Sequence, residues 1–279
     1  MQPKKLLFGT AGIPLCTKPR DTLNGIREVK KLGLGSMELE FVHGVTIKKE
    51  DSAKEIAKTS KENEIFLSCH GPFFINLNAQ DSQKKYTTYN YMKNSGIMAA
   101  KAGAYTICFH AAYLMSMPRE KVTPIVKERL KEVVQLVKDS GQKIWIRPET
   151  AGRTAQWGQL DDIISVSAEL DMVLPCVDFA HLYANSNGKN NSDEFFSDAL
   201  YKIEKGLGKG ALKNMHCHME GIAFTEKGEK KHLPLAECKF NYKGVLRALK
   251  EFNCAGIVTC ESPNIEEDAL KLQKEFSKL

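Results

Sequence analysis

Between Ala104 and Glu149 the chain reads AYTICFH (104–110), then VTPIVKERLKEVVQLV (122–137), then KIWIRPE (143–149). The outer pieces are short, apolar and rich in β-branched and aromatic residues, as strands are. The middle piece repeats its apolar residues every three to four positions, as an amphipathic helix does. A strand, a helix and a second strand in succession form a parallel β-α-β unit, because parallel neighbours need a long crossover. The same cycle extends both ways along the chain. Strand-like runs recur at 4–12, 36–42, 64–70, 173–179, 214–220 and 256–262, at intervals of about 30 to 40 residues. Helical periodicity is also plain around Leu23, Ile26 and Val29, and again from Ile265 to Phe276. Eight such repeats predict an α/β protein, a (β/α)8 TIM barrel, forming one domain over residues 1–279. An open doubly wound sheet is the alternative, but the first strand ends in GTAGIP rather than a GxGxxG turn. The run NSNGKNNS (185–192) reads as a surface loop.

Composition agrees with a folded enzyme-sized domain. The chain has 279 residues, 42% hydrophobic and 27% charged, which excludes disordered, collagen-like and coiled-coil classes. The net charge of +6 is a weak pointer to an anionic partner. Eight single cysteines, none in a CxxC pair, mostly sit within apolar runs and read as reduced thiols. No signal peptide and no membrane span are expected, so the expected location is cytoplasmic.

In a barrel the chemistry gathers where strands end. Strand three closes on His70, strand four on His110, strand five on Glu149, and strand six on Asp178 with His181 just beyond. Strand seven carries His216 and His218, and strand eight ends on Glu261. Any one of these alone is more often a hydrogen-bonded structural residue or a helix cap. Together, five of the seven histidines fall at or just past strand ends, with His232 in the following loop. Imidazoles and carboxylates packed on one rim call for a cation, and the mixture suits Zn²⁺, Mn²⁺ or Fe²⁺. Residues two apart on a strand share a face, so residue type alone does not choose between His216 and His218.

These segments resemble endonuclease IV, the apurinic/apyrimidinic endonuclease family, within the xylose-isomerase-like TIM barrels. The resemblance rests on His70 to Leu77 (HGPFFINL), Phe109-His110, Glu149 to Gly152 (ETAG), Cys176 to His181 (CVDFAH), His216 and Glu261 to Pro263 (ESP). It implies a barrel with clustered zinc ions that hydrolyses the phosphodiester 5′ to an abasic site in duplex DNA and leaves a 3′-hydroxyl. By position, His70, His110 and Glu149 would hold one ion. Glu149 would bridge to a second, held by Asp178, His216 and Glu261, and His181 and His232 would belong to a third. The family completes that third set with an Asp two residues before the His. Here that position is Lys230, which leaves Glu229 or His218 to substitute.

The resemblance thus implies two or three zinc ions, with Mn²⁺ or Fe²⁺ as substitutes, and Glu149, Asp178 and Glu261 as the catalytic carboxylates. Phe73 would wedge into or stack on DNA, and Lys230 and Lys231 would contact phosphates. Loop-core packing for Phe73 and a solvated face for the lysines are the plain alternatives. The implied partner is damaged duplex DNA, with no organic cofactor, no membrane, a monomeric state and association with the nucleoid. The competing function is a single-metal sugar isomerase or epimerase, with Glu149, Asp178, His216 and Glu261 around one ion. It leaves His70, His110, His181 and His232 without a duty.

Overall fold

The computed structural model describes residues 2–279. Eight parallel strands make the barrel: β1 (Leu6–Ala11), β2 (Ser36–Glu40), β3 (Phe66–His70), β4 (Ala104–Phe109), β5 (Trp145–Pro148), β6 (Val177–Asp178), β7 (Met215–Met219) and β8 (Gly256–Cys260). The ladder runs β5-β4-β3-β2-β1-β8-β7-β6. The ring closes between β5 and the segment leading into β6, through the bridges Ile146 to Val173 and Glu149 to Cys176. The TIM barrel read from the sequence is therefore the observed fold.

Strand β6 is shorter than the apolar run 173–179 suggests. Pro175 has no N–H for the ladder, so regular pairing there breaks into isolated bridges. Arg147, 1% exposed, spans the gap from inside the barrel. Its guanidinium donates to Thr106 Oγ1 at 2.6 Å, the Pro175 carbonyl at 3.0 Å, and Asn214 O and Oδ1 at 2.8 and 2.9 Å. One side chain thereby ties β4, β5, the β6 segment and the entry to β7.

The helices cover the barrel as their periodicity requires. Helix Arg119–Asp139 buries Val122, Val126, Leu130, Val133 and Val137, which follow its inward stripe. Helix Glu266–Ser277 closes the chain. No helix among the described residues is long and apolar enough to cross a membrane, and all eight cysteines are free thiols.

One element lies outside the sequence expectation. After β7 the chain forms an antiparallel hairpin, Gly221–Thr225 with Gly228–Leu233. His232, expected in a loop, stands on its second strand. The pairing steps from Ala223–Lys231 to Phe224–Glu229, so Lys230 is the extra residue of a β-bulge. The hairpin leans on the loop after β5 through the bridge Arg153 to Gly228.

Candidate metal centre

Parallel strands alternate their side chains between barrel interior and helix layer. On β5 this places Arg147 and Glu149 on the interior, one above the other; on β7 it places His216 and His218 likewise. The upper members meet at the carboxyl ends of the strands. Glu149, 1% exposed, stands at the middle. Its Oε2 lies 3.3 Å from His70 Nε2 and 3.3 Å from His110 Nδ1. Its Oε1 lies 2.9 Å from His218 Nδ1. The two oxygens of one carboxylate thus face two different sets of donors.

Three groups of ligand atoms span the rim, each with all its members within 4.8 Å of one another: His70, His110 and Glu149; Glu149, Asp178, His218 and Glu261; and His181, Glu229 and His232; a further group, Asp178, His181 and Glu220, overlaps the last two. Tautomers are pinned by the backbone. His70 Nδ1 donates to the Gly71 carbonyl at 2.8 Å, His181 Nδ1 to Thr150 O at 3.0 Å, and His232 Nδ1 to Glu261 O at 3.2 Å. Each leaves Nε2 turned to its group and available to a metal, the usual arrangement for a ligating imidazole. Asp178 caps the helix Phe179–Asn185, accepting from the His181 N–H at 2.6 Å. That capping contact brings Asp178 Oδ2 to 3.3 Å from His181 Nδ1.

The donor set fits divalent cations. Among the described residues His110 Nδ1, Glu149 Oε2, Asp178 Oδ2 and His181 Nε2 are buried without a hydrogen-bond partner. Orphaned buried donors and acceptors are costly, and a cation satisfies several at once. Charge points the same way. Burial, with Glu38 beside it, pushes Glu40 up to about 8. Burial pushes Asp178 up to about 6 against the pull of His181. Burial, with Asp178 and Glu261 nearby, holds Glu220 well above the carboxylate range. Carboxylates crowded this way retain protons unless positive charge is supplied. Burial disfavours the charged form of Glu149 too, but the His110 and His218 imidazoles outweigh it and hold the carboxyl well below its ordinary value.

Two sequence assignments change. The strand-seven member of the central group is His218, not His216. Strand β7 runs on to Met219, so the rim falls at the later histidine. His216 sits one layer down, fully buried, 3.0 Å from Glu38 Oε2. In the third group Glu229 takes the carboxylate place. Residues three apart on a regular strand face opposite ways, but the bulge at Lys230 turns Glu229 and His232 to the same side. His181 Nε2 is then 3.6 Å, and His232 Nε2 3.8 Å, from the Glu229 carboxylate. Lys230 and Lys231 are exposed on the hairpin. Phe73, 48% exposed, stacks over His110 with ring centroids 6.4 Å apart.

The sequence reading missed Glu38 and Glu40, and placed Glu220 at the end of strand seven without giving it a role. The alternation in SMELE gives the signal for the first two, since a strand with its glutamates two apart and flanked by Met, Leu and Phe must turn one face to a polar interior. A cleft of about 620 Å³ opens over the three groups, with Phe73, Tyr113 and Arg153 at its mouth. A larger hollow of about 950 Å³ lies at the opposite end of β3, β4 and β5, where no histidine or cysteine lines it.

The chain belongs to the xylose isomerase-like TIM barrel family, whose model matches residues 26–278. It is 38% identical over 274 residues to an uncharacterized protein of Methanocaldococcus jannaschii, with 98% of each chain covered. Solved structures with the same fold include endonuclease IV from Thermus thermophilus, at TM-score 0.72 and 15% identity, covering 96% of this chain and 98% of that one. A D-tagatose 3-epimerase-like protein matches at TM-score 0.72 and 18% identity, over 96% and 97%. The 3-keto-D-glucoside 4-epimerase of E. coli matches at TM-score 0.67 and 15% identity, over 97% and 100%. At such identities the likeness establishes the fold alone.

Proposed function

We propose that the chain is a divalent-metal phosphodiesterase that cuts duplex DNA on the 5′ side of abasic sites and leaves a 3′-hydroxyl. The observation that carries this reading is the shared carboxylate: Glu149 turns one oxygen to His70 and His110 and the other to His218, with the third group alongside. Carbon-centred sugar chemistry around one ion uses only the central group. Phosphodiester hydrolysis uses several cations close together, which supply an activated water and neutralise charge on the leaving oxygen.

The residues supply the rest. Glu149, Asp178 and Glu261 fix the central group, and the backbone-pinned imidazoles of His70, His181 and His232 keep their geometry before substrate arrives. Phe73, exposed beside the cleft, is placed to fill the gap left by an absent base or to stack on its neighbour. Lys230, Lys231 and Arg153 lie on or beside the hairpin, where they can contact backbone phosphates.

One observation favours a second reading. Glu149, Asp178, His218 and Glu261 form a compact set of their own, and the similar structures include a 3-keto-D-glucoside 4-epimerase and a D-tagatose 3-epimerase-like protein. In that case Glu149 and Glu261 would serve as base and acid beside a carbonyl. The test is a paired assay on metal-replete protein. Incision of an abasic-site duplex with a 3′-hydroxyl product supports the phosphodiesterase. Epimerisation of a free ketose with no incision overturns it.

A further inference from the structure

A second cluster lies inside the barrel, one layer beneath the rim. Cys108 on β4, Cys176 at the entry to β6, and His216 and His218 on β7 bring their ligand atoms within 4.8 Å of one another. All four side chains are 0% exposed. We propose that these residues form a buried thiolate–imidazole site for a soft divalent ion, Zn²⁺ foremost, distinct from the oxygen- and nitrogen-only groups above it.

Three observations support it. First, Nδ1 of the fully buried His216 forms no hydrogen bond, and Nε2 has only the Glu38 carboxylate beside it at 3.0 Å, without hydrogen-bond geometry. A ligand bond at Nδ1 would satisfy an otherwise orphaned buried nitrogen. Second, the separation of one sulfur–nitrogen pair matches. Zn–S of about 2.3 Å and Zn–N of about 2.0–2.1 Å at a tetrahedral angle hold sulfur and nitrogen about 3.5–3.6 Å apart. Cys108 Sγ lies 3.6 Å from His218 Nε2. Third, the donor types suit the ion: four soft or borderline donors favour Zn²⁺ over Mg²⁺, Ca²⁺ or Mn²⁺. Glu38 faces the cluster as well, its Oε2 3.0 Å from His216 Nε2 and its Oε1 3.1 Å from His218 Nε2, on the ligand side of the His218 ring, where it is a further anionic donor.

His218 joins the two levels. Its Nδ1 faces Glu149 at the rim and its Nε2 faces Cys108 below. Ligation at both nitrogens would release the ring proton and leave an imidazolate of charge −1, and a lower ion would then fix the orientation of an upper ligand. The inference stands whether the rim cuts DNA or acts on a sugar, because its sulfur donors are not those of the rim.

Cobalt substitution tests it, since sulfur ligates only in the lower site. Protein produced with Co²⁺ as its metal should show a thiolate-to-cobalt charge-transfer band in the near ultraviolet. The double variant Cys108→Ala with Cys176→Ala should lose that band and one metal per chain while retaining the remainder. A fully loaded protein without the band, or a variant with unchanged metal count, overturns the proposal. So does a thiol titration of the denatured, unreduced protein that finds six thiols in place of the eight in the sequence, which would mark a Cys108–Cys176 disulfide. If the double variant does not fold, X-ray absorption on the wild-type zinc protein decides. A sulfur shell at about 2.3 Å supports the site, and nitrogen and oxygen alone overturn it.

Discussion

Replacing Glu149 with Gln keeps the volume of the side chain and removes its charge. The change reaches two groups at once, because the carboxylate oxygens stand 2.9 to 3.3 Å from His218, His70 and His110. The amide keeps one oxygen, so one of the two groups loses its Glu149 donor and the other keeps a neutral oxygen in place of a charged one. Two unit charges about 4 Å apart, at the effective dielectric of a protein site, attract by about 4 kcal/mol. A divalent ion held among these atoms would lie closer than that, so about 4 kcal/mol is a lower bound for each ion. At about 1.4 kcal/mol per tenfold, metal affinity should drop by about a thousandfold or more. Chelator competition with metal analysis reads the affinity, and incision of an abasic duplex reads the activity. A Glu149→Gln protein that keeps its full metal complement and cuts at a rate near wild type would refute the shared-carboxylate reasoning.

Four further outcomes follow from the same geometry. His218→Ala should lower metal content and cut activity by about a hundredfold or more, since ligand-supporting residues alone are worth about 10- to 100-fold; undiminished metal binding would restore His216 to the rim. In Gly152→Ala the new Cβ would meet His181 Cδ2 at 2.7 Å and Glu229 Cβ at 2.9 Å, so the third ion should be lost for an overpacking cost of about 1–3 kcal/mol, as read by metal analysis beside denaturant unfolding. Arg147→Ala strands the Thr106, Pro175 and Asn214 acceptors and opens a cavity, and should cost about 3–5 kcal/mol of stability; a loss below about 1 kcal/mol in urea unfolding would contradict the stitching role. Glu266 accepts from the Leu15 and Cys16 N–H groups at 2.8 and 2.9 Å, and although burial opposes them these contacts hold its carboxyl below the usual value of 4.5. Its folded value is depressed, so its contribution is full above about that pH and fades as the pH falls through the folded value; the stability gap between wild type and Glu266→Gln should shrink on acidification, and a constant gap would count against it.

The barrel was legible because each β-α unit repeats one pattern, and six rim residues were legible because a polar side chain closes an apolar run. His70, His110, Glu149, Asp178, His181 and Glu261 all occupy such places. What escaped depended on length and register. His216 and His218 share a face, and only the extent of β7 decides which reaches the rim. Glu229 was obscured by a bulge, since the spacing of three to His232 is wrong for an unbroken strand. Glu38 and Glu40 sit on a strand whose inner face is the polar one, against the common expectation for a core strand. Glu220, in the first residue after β7, reads in sequence like any solvated turn glutamate, yet it is fully buried.

The hairpin after β7 separates inheritance from invention. Seven of the rim donors hang on or directly beyond barrel strands, where a shift of register would disturb the whole ring. Glu229 and His232 hang instead on an arm whose pairing has already absorbed one extra residue at Lys230 without losing its aim. An arm of that kind can be lengthened, shortened or deleted by local events in a gene while the ring beneath it stays intact. A lineage holding this barrel could therefore gain or shed its third ligand group without redesigning the scaffold, and so move between chemistries that need one cation and chemistries that need several.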